Sequence, residues 1–482
     1  MILLILILFL LFTLALVLLD TKRKINLMRV IPLTIFLFLF LNIILFAHLL
    51  LRVSPLYVSK VFEALFIIVA VLFLFYLWIR LNIFPVRVEK KLNIRLKIMI
   101  SGRFLVFAGL WAMVMEILFL IFCYSGFFNI GIKGIQKSIL IYNAVYGIAI
   151  SFLLMLNGIT RIFFTSKRLS IIRRLVILFT FWIPVINLFL LLHICRIAYE
   201  EYDFACYKED LHLTRVDSDI CKTKYPLVMV HGVLFRDLKY FNYWGRIPKE
   251  LIRYGAAVYY GNQEAAGTIV TNAEDLRKKI LEITEETGCQ KVNIIAHSKG
   301  GLDSRYAISM LNMEKYVASL TTICTPHYGC KFVDLTYKLP DIIYRLIAKI
   351  IDSIFSKLGD KNPDFYTTAR QFSTHTSKDF NEKVKDSPLV YYQSYMAKMK
   401  NLFSDTILTF TYSIIKRLEG DNDGLVSAGS AVWGNFRGVF ESKTRRGISH
   451  GDIIDLKRQD YKGFDVIEAY VQIVSELKEK GF

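Results

Sequence analysis

Ser298 has the sequence setting of a catalytic nucleophile. It lies in the segment Ala296-His297-Ser298-Lys299-Gly300, after an apolar run that predicts a strand and before a pattern that predicts a helix. A serine on such a sharp turn presents its hydroxyl above a sheet, provided that the residues two before and two after it are small. Ala296 and Gly300 meet this condition. The segment therefore predicts nucleophilic chemistry on an acyl group at Ser298.

A nucleophilic serine needs a histidine as its base. In folds with this kind of turn the chain order is serine, acid, histidine, which leaves His327, His375 and His450 among the eight histidines. His327 follows Ser298 too closely to leave room for an acid-bearing strand. His375 lies in a polar segment with a helical pattern. We therefore predict that His450 is the base.

The acid is expected between Ser298 and His450. Asp423 begins the run Asp423-Gly424-Leu425-Val426, which is typical of an acid at a strand end. We predict Asp423 as the acid that orients the histidine, with Asp421 as the alternative.

An oxyanion hole requires two backbone N–H groups aimed at the developing negative charge. Lys299 directly follows the nucleophile and supplies one of them in the predicted arrangement. Val233 supplies the other, because it lies in the loop after the first strand and Gly232 allows a tight turn there. The side chain of Lys299 is expected to face solvent and has no predicted chemical role.

The elements around these residues alternate between strands and helices. Apolar runs predict strands at 227–230, 256–260, 292–296 and 317–324, with helices between them. This alternation predicts a mostly parallel sheet with helices on both faces. The segment at about 331–420 is predicted to form a helical cap over the site. Its helix at 341–358 has a wide apolar stripe, which suits a lid that opens against lipid and equally a helix that is permanently docked.

The same residues carry a resemblance to a known family. The stretches 225–232, 291–306, 321–329 and 422–427 resemble the bacterial true lipases, the triacylglycerol lipase family of α/β hydrolases. The resemblance covers about 225–330 and 420–456. It implies an α/β-hydrolase fold, Asp423 and His450 as acid and base, and Val233 and Lys299 as oxyanion donors. The amino-terminal part of the chain has no counterpart in secreted lipases.

The resemblance also implies a structural calcium ion near the catalytic histidine. Asp452 matches one carboxylate ligand of the family. A second ligand is expected roughly twenty residues before Asp423, where Asp405 is the nearest acid. Calcium binds several oxygen ligands, so the sequence predicts a possible structural calcium, and no cofactor for catalysis.

The first part of the chain has a different composition. Of the 482 residues, 54% are hydrophobic, which is too many for an ordinary soluble protein. The seven cysteines are too few for a disulfide scaffold, although Cys206 and Cys221 are close enough in sequence to pair. We predict an all-α transmembrane bundle of about six helices in a domain at 1–205, followed by the α/β-hydrolase domain at 206–482. The stretches long enough to span a bilayer are 2–20, 31–51, 61–83, 104–124, 138–158 and 175–195.

The net charge of +19 is concentrated in the same region, where the first 205 residues hold 21 Lys and Arg against 7 Asp and Glu. These cations cluster in the first, third and fifth loops, which should therefore face the cytoplasm. The catalytic domain is then extracytoplasmic, most simply on a bacterial plasma membrane, and nucleic acid is not a partner. Glu116, in the fourth stretch, is either bonded to a neighbouring helix or part of a transport or sensing site.

Together these features predict a membrane-anchored serine ester hydrolase, a lipase or esterase. It would cleave acyl esters, with lipid as the expected substrate and the bilayer as its partner. One alternative is an acyltransferase that uses the same three residues. Another is a membrane sensor or transporter whose hydrolase-like half only binds a ligand.

Overall fold

A computed structural model describes residues 27–53, 60–85, 92–124, 137–180, 183–216, 218–235, 242–338, 340–461 and 463–482. The chain forms two compact units, Met1–Asp210 and Leu211–Phe482. The first unit is helical in its described parts. Its helices are α1 (Leu27–Leu41), α2 (Ile43–Val53), α3 (Lys60–Ile83), α4 (Ile94–Tyr124), α5 (Lys137–Thr165), α6 (Ile171–Thr180) and α7 (Pro184–Thr214), the last of which continues past Asp210.

Three stretches of helix in the described residues are long and apolar enough to cross a membrane: Ala64–Ile83, Ile94–Cys123 and Lys137–Thr165. A fourth span results if the pair Ile31–Leu41 and Ile43–Leu49, which bends by 70°, is counted as one. The described residues thus contain three or four of the six spans predicted for the chain. The predicted span at 2–20 lies outside the described residues.

The predicted span at 175–195 is not one continuous helix. α6 ends at Thr180 and a new helix, α7, begins at Pro184. Proline favours the first position of a helix because its missing N–H would have no intrahelical acceptor there. The apolar composition of the stretch did not reveal this break.

Polar side chains meet inside the first unit. Asn42 donates from Nδ2 to Glu116 Oε2 at 3.2 Å, and Asn143 donates from Nδ2 to Asn42 Oδ1 at 2.8 Å. A Cβ atom on Gly147 would lie 2.7 Å from Glu116 Cδ, so the absence of a side chain there makes room for the carboxyl group. Glu116 is thus hydrogen-bonded to Asn42, the residue between α1 and α2.

The second unit contains a six-stranded sheet in the order β2-β1-β3-β4-β5-β6, with every neighbouring pair parallel. The predicted α/β-hydrolase fold class is confirmed. The strands are β1 (Leu227–Val230), β2 (Val258–Tyr260), β3 (Val292–His297), β4 (Val317–Ile323), β5 (Tyr391–Ala397) and β6 (Asn435–Phe440). The helices are α8 (Ile247–Arg253), α9 (Ile269–Thr287), α10 (Lys299–Met310), α11 (Lys331–Thr336), α12 (Asp341–Lys357), α13 (Phe365–Arg370), α14 (Thr374–Lys383), α15 (Thr409–Leu418), α16 (Ala428–Ala431) and α17 (Val466–Glu479).

Two apolar layers cover the two faces of this sheet. Leu227 and Met229 of β1 point into one layer, and Val228 and Val230 point into the other, as the alternation of side chains along a strand requires. Cys221 carries a free thiol buried in the first of these layers.

The segment 331–420 is not only a cap. It supplies helices α11 to α15, but it also supplies β5, an interior strand of the sheet. β5 carries buried polar residues whose bonding partners come from elsewhere in the chain. Gln393 donates from Nε2 to Thr321 Oγ1 at 2.9 Å, and Ser394 donates from Oγ to the Trp433 carbonyl at 2.6 Å. Because these residues interrupt the apolar pattern, the sequence did not predict this strand.

Candidate active site

Ser298 forms a strained turn between β3 and α10. Its φ of 55° and ψ of −129° lie in a region that non-glycine residues rarely adopt. Such a conformation costs on the order of 1–3 kcal/mol and persists only where the surroundings hold it. β4 provides one hold, because the Ser298 N–H donates to the Ile323 carbonyl at 3.0 Å. The sharp turn expected from the sequence at Ser298 is therefore present, with the backbone geometry of a nucleophile elbow, the strand-to-helix turn that exposes a serine hydroxyl.

Glycines allow the backbone to approach this turn closely. A Cβ atom on Gly300 would lie 2.5 Å from the His231 carbonyl oxygen, and one on Gly232 would lie 2.9 Å from Ser298 Cβ. Neither position has space for a side chain. The loop after β1 can therefore lie directly against Ser298, as the predicted oxyanion hole requires.

The two candidate oxyanion donors flank the turn. Val233 follows Gly232 in the loop after β1, and Lys299 is the first residue of α10. The first N–H groups of a helix have no intrahelical acceptor, so the Lys299 amide is available to a ligand. This location suits the role predicted for each residue.

His450 and Asp423 come together in the structure. His450 Nδ1 lies 2.7 Å from Asp423 Oδ2, and the His450 N–H donates to the Asp423 carbonyl at 2.9 Å. The other carboxylate oxygen of Asp423 accepts from the N–H groups of Leu425 and Val426, at 2.9 and 2.8 Å. Asp423 is fully buried, whereas His450 and Ser298 are each 8% exposed. The carboxylate is thus held by fixed donors and the histidine retains access to solvent.

The remaining candidates lie elsewhere. His327 is buried, with Nε2 3.0 Å from Thr322 Oγ1 and its ring stacked on Trp433. His375 is exposed. Asp421, the alternative acid, forms ion pairs with Lys398 and Lys416 instead.

His297 is a member of this site that the sequence did not single out. Its ring centroid lies 4.4 Å from that of His450, and its Nδ1 lies 2.6 Å from the Tyr243 hydroxyl oxygen. Burial, and then the neighbouring His450, hold the pKa of His297 well below its usual value. The neutral imidazole of His297 packs on the ring of His450. Because His297 directly precedes Ser298, this contact places His450 next to the turn at Ser298. The only sequence signal was its position directly before the nucleophile.

A possible metal-binding group overlaps this site. Among the described residues, the ligand atoms of His297, Cys324 and His450 form the one group of three or more that lie within 4.8 Å of one another. Both Nδ1 atoms already have partners, Tyr243 for His297 and Asp423 for His450. Each of the two rings therefore has only its Nε2 atom left for a further partner.

The side chain of Lys299 does not face solvent, which corrects the expectation from the sequence. It is 1% exposed, and its Nζ lies 2.6 Å from Asp303 Oδ1. Asn272 donates to the other oxygen of Asp303 at 3.2 Å, which links α10 to α9. Burial lowers the pKa of Lys299 and raises that of Asp303 to about 6. Because the first turn of α10 lies inside the protein, the ammonium group of Lys299 pairs with the Asp303 carboxylate instead of facing solvent.

Asp452, the predicted calcium ligand, is buried next to Asp405. Lys457 Nζ lies 2.6 Å from Asp405 Oδ2, and Arg446 Nη2 donates to Asp452 Oδ2 at 2.8 Å. Side-chain cations thus already meet both carboxylates. These residues do not fit a calcium ion, since a divalent ion shared by the two carboxylates would lie beside an ammonium group.

Comparisons with known proteins identify relatives among esterases and lipases. The family model described as "Putative serine esterase (DUF676)" matches residues 224–354. Triacylglycerol lipase 2 of Saccharomyces cerevisiae is 31% identical over 272 residues, which cover 51% of this chain and 78% of the yeast protein. A triacylglycerol lipase of Pseudarthrobacter phenanthrenivorans is 30% identical over 182 residues, which cover 35% of this chain and 56% of that lipase.

Among solved structures, the mature lipase BlEst2 of Bacillus licheniformis is similar, with 22% identity and a TM-score of 0.39. The match covers 52% of this chain and 92% of that one. The fold itself is established by the parallel sheet described above. Given the extent of the match to the yeast lipase, the chain belongs to the family of serine esterases and triacylglycerol lipases, and it is an ester-hydrolysing enzyme.

Proposed function

We propose that this protein is a membrane-anchored serine hydrolase of acyl lipid esters, in which Ser298, His450 and Asp423 form the catalytic triad. The observation that carries the proposal is the 2.7 Å contact between His450 Nδ1 and Asp423 Oδ2 beside the strained turn at Ser298. That contact leaves Nε2 as the histidine nitrogen available to the serine hydroxyl. The similarity to bacterial triacylglycerol lipases supports a place in their branch of the family.

In the first half-reaction the Ser298 hydroxyl attacks the ester carbonyl while His450 Nε2 takes its proton. A bond forms between Oγ and the carbonyl carbon, and the carbonyl oxygen becomes an oxyanion held by the N–H groups of Val233 and Lys299. The tetrahedral intermediate collapses as the bond to the alcohol oxygen breaks. His450 gives its proton to the departing alcohol, and an acyl-enzyme remains on Ser298.

In the second half-reaction water replaces the alcohol. His450 takes a proton from water as the oxygen attacks the acyl carbon, and the same N–H groups hold the new oxyanion. The bond to Ser298 Oγ then breaks, and the proton returns from His450 to Oγ. The products are a carboxylic acid and regenerated enzyme. Asp423 stays ionised throughout and stabilises the imidazolium that forms twice in each cycle.

The proposed substrate is a lipid or long-chain acyl ester. α12 supports this choice, because Ile342, Leu346 and Ile350 on one face of it are 78%, 61% and 54% exposed. Ala348 is the one buried residue of that helix. An apolar face of this size in contact with water is typical of a surface that meets lipid or a hydrophobic partner.

The first experiment is hydrolysis of short- and long-chain p-nitrophenyl esters by the detergent-purified full chain, with Ser298→Ala beside it. Wild type should turn over both esters and react with a fluorophosphonate probe, whereas Ser298→Ala should do neither. Folded wild type that is inert to both esters and the probe would rule out the triad. That result would favour the ligand-binding sensor or transporter. Preferential transfer of the acyl group to an added alcohol, with little free acid, would identify an acyltransferase.

We also propose two domains, membrane-spanning at 1–205 and catalytic at 206–482, with the catalytic domain extracytoplasmic. Cations between the predicted stretches 138–158 and 175–195, such as Lys167, Arg168 and Arg173, support a cytoplasmic side for that part of the chain. Because the helix breaks before Pro184, the side on which the catalytic domain lies depends on whether the stretch 175–195 crosses the membrane. If the stretch 175–195 did not cross, the catalytic domain would share the side of that loop.

Cysteine labelling decides the orientation. Arg173 and Lys480 are both exposed, and each is replaced by cysteine in a background with Cys206→Ser and Cys289→Ser. In right-side-out vesicles, a membrane-impermeant maleimide should label Lys480→Cys and leave Arg173→Cys unmodified. Labelling of both positions from the same side would overturn the extracytoplasmic assignment.

A further inference from the structure

Two buried carboxylates lie beside the loop that carries His450. Asp405 and Asp452 are 4% and 0% exposed, and both bond to Ser449, the residue before the histidine. Ser449 donates from Oγ to Asp405 Oδ2 at 2.8 Å and from its N–H to Asp452 Oδ2 at 3.2 Å. Carboxylates this close repel each other unless positive charge compensates them. The fold must therefore supply a cation here.

The cations come from two side chains on the same loop. Lys457 Nζ lies 2.6 Å from Asp405 Oδ2 and 3.7 Å from Asp452 Oδ1. Arg446 donates from Nη2 to Asp452 Oδ2 at 2.8 Å. Each cation is about a third exposed, so both reach the buried carboxylates from the surface. The positive charges of Lys457 and Arg446 thus balance the negative charges of the two carboxylates.

The ammonium group of Lys457 occupies the bridging position between the carboxylates. Asp452 Oδ1 is buried, and the Tyr461 hydroxyl interacts with the Asp452 carboxylate. The contact of Asp452 Oδ1 with Lys457 is the 3.7 Å ion pair. Calcium takes six to eight oxygen ligands at about 2.3–2.6 Å, and an ammonium group at this point excludes it.

The cluster also ties two loops together. Arg446 donates from Nε to the Ser404 carbonyl at 2.9 Å, and the Gly447 N–H donates to Ser404 Oγ at 3.1 Å. These bonds join the residues around Asp405 to the start of the His450 loop. The loop is therefore fixed through Ser404 as well as through Asp423.

We propose that Lys457 is an internal cation which takes the place of a divalent metal ion and, with Arg446, positions the His450 loop. This inference rests on the proposed catalytic role of His450. Lys457 is a positioning residue, because it acts through Asp405 and Ser449. The enzyme should therefore need no calcium, and loss of the ammonium group should create a calcium site from the two carboxylates.

The test measures kcat, KM and the thermal midpoint of the full chain in detergent, after EGTA dialysis and again with CaCl2 at about 5 mM, enough for a weak calcium site. Wild type should be unchanged by calcium in all three. Lys457→Ala should lose about tenfold in kcat, as expected for a slightly misplaced catalytic group, with KM little changed. Calcium should raise its thermal midpoint and restore kcat, while magnesium, which gives up its water reluctantly, should do neither.

Three variants control for other effects. Lys457→Arg keeps the charge and should keep kcat and calcium independence. Lys279→Ala removes an ion pair with Glu282 on α9, far along the chain, and should change nothing. If Lys457→Ala does not fold, the double variant Asp405→Asn with Lys457→Gln removes both charges together. It should fold, and calcium should not shift its thermal midpoint.

Wild type that loses activity and thermal stability in EGTA and regains both with calcium would overturn the inference. So would Lys457→Ala with unchanged kcat and thermal midpoint. Both results leave the triad intact if wild type still reacts with a fluorophosphonate. Failure of the triad would look different, because the protein would be inert to the probe while calcium still stabilised Lys457→Ala.

Discussion

His450 Nδ1 lies 2.7 Å from Asp423 Oδ2, across 27 residues of chain. The backbone joins the same pair, because the His450 N–H donates to the Asp423 carbonyl at 2.9 Å. Both contacts are made by atoms of the chain itself. The orientation of the imidazole is therefore built into the fold, and the identity of the acid can be tested by a single substitution.

Asp423→Asn should lower kcat for p-nitrophenyl esters by about 10⁴-fold, because an amide at this position stabilises the wrong histidine tautomer. KM should change far less. The rate of fluorophosphonate labelling should fall in parallel, since it depends on the same activated serine. Steady-state kinetics and probe labelling on the full chain measure both effects.

Asp421→Asn is the matched control. Asp421 bonds to Lys398 and Lys416 at the surface, and exposed pairs of this kind contribute about 0–1 kcal/mol. We expect kcat of Asp421→Asn to stay within about twofold of wild type, because the loss of a weak exposed ion pair leaves the fold intact. If Asp421→Asn were the more damaging change, the assignment of the acid would be wrong.

The turn at Ser298 makes a second prediction. A Cβ atom on Gly300 would lie 2.5 Å from a backbone carbonyl, which cannot move aside as a side chain could. Gly300→Ala should therefore destabilise the catalytic unit by about 1–3 kcal/mol, the usual cost of overpacking. It should also reduce probe labelling. Urea titrations followed by near-UV circular dichroism measure the stability.

Gly429→Ala is the control for that substitution, because no atom lies within 4 Å of its added Cβ. It should leave both stability and labelling near wild type. Equal effects of the two alanines would show that the close approach at Gly300 does not matter.

Ser298, Asp423 and His450 could be proposed as a triad from the sequence because their positions follow rules of chain order and local pattern. Ser298 comes directly after an apolar strand, and Asp423 and His450 follow it in the chain order of the fold. Lys299 and β5 obey no such local rule. A lysine on a helix is usually exposed, and its burial depends on Asp303 one turn later and on Asn272 in another helix.

His297 and Lys457 show the same limit at the site itself. Their roles depend on neighbours that only the folded chain brings close, namely His450 for the first and Asp405 for the second. The membrane stretches were predicted from composition, yet composition does not reveal where Pro184 starts a new helix. Local patterns thus locate the nucleophile, while packing decides which charges and rings support it.

A third prediction concerns stability in mild acid. Burial holds the pKa values of His297 and His327 well below the ordinary 6.5, with His450 and Arg305 adding to the effect. Below about pH 6.5 the unfolded chain takes up protons at these histidines more readily than the folded chain does. Each histidine therefore reduces the free energy of unfolding as the pH falls further, by up to about 1.4 kcal/mol per pH unit.

Asp303 acts in the opposite direction, since burial raises its pKa to about 6 and the folded chain gains a proton there first. A comparison of His327→Asn with wild type separates the contribution of His327 from that of Asp303, because Asp303 is present in both proteins. His327→Asn should lose about 2 kcal/mol less than wild type between pH 7 and pH 5, whatever its absolute stability. His375→Gln, at an exposed position, should follow the wild-type curve. Parallel curves for wild type and His327→Asn would contradict the prediction.

The last prediction concerns the exposed apolar face of α12. Replacing Ile342, Leu346 and Ile350 together by serine removes apolar surface that is 54–78% exposed, so the fold should tolerate it. If this face meets lipid, the triple variant should lose about tenfold or more in turnover of long-chain esters in micelles, because each such side chain buried in lipid is worth roughly 1.5 kcal/mol or more. Hydrolysis of a short soluble ester should stay near wild type, since the triad is untouched.

Lys349→Ser with Lys357→Ser, at exposed positions on the same helix, should leave the long-to-short ratio near wild type. A triple variant with an unchanged ratio would show that α12 is a docked helix with no part in lipid recognition, whereas loss of both activities together would point to damage at Ser298.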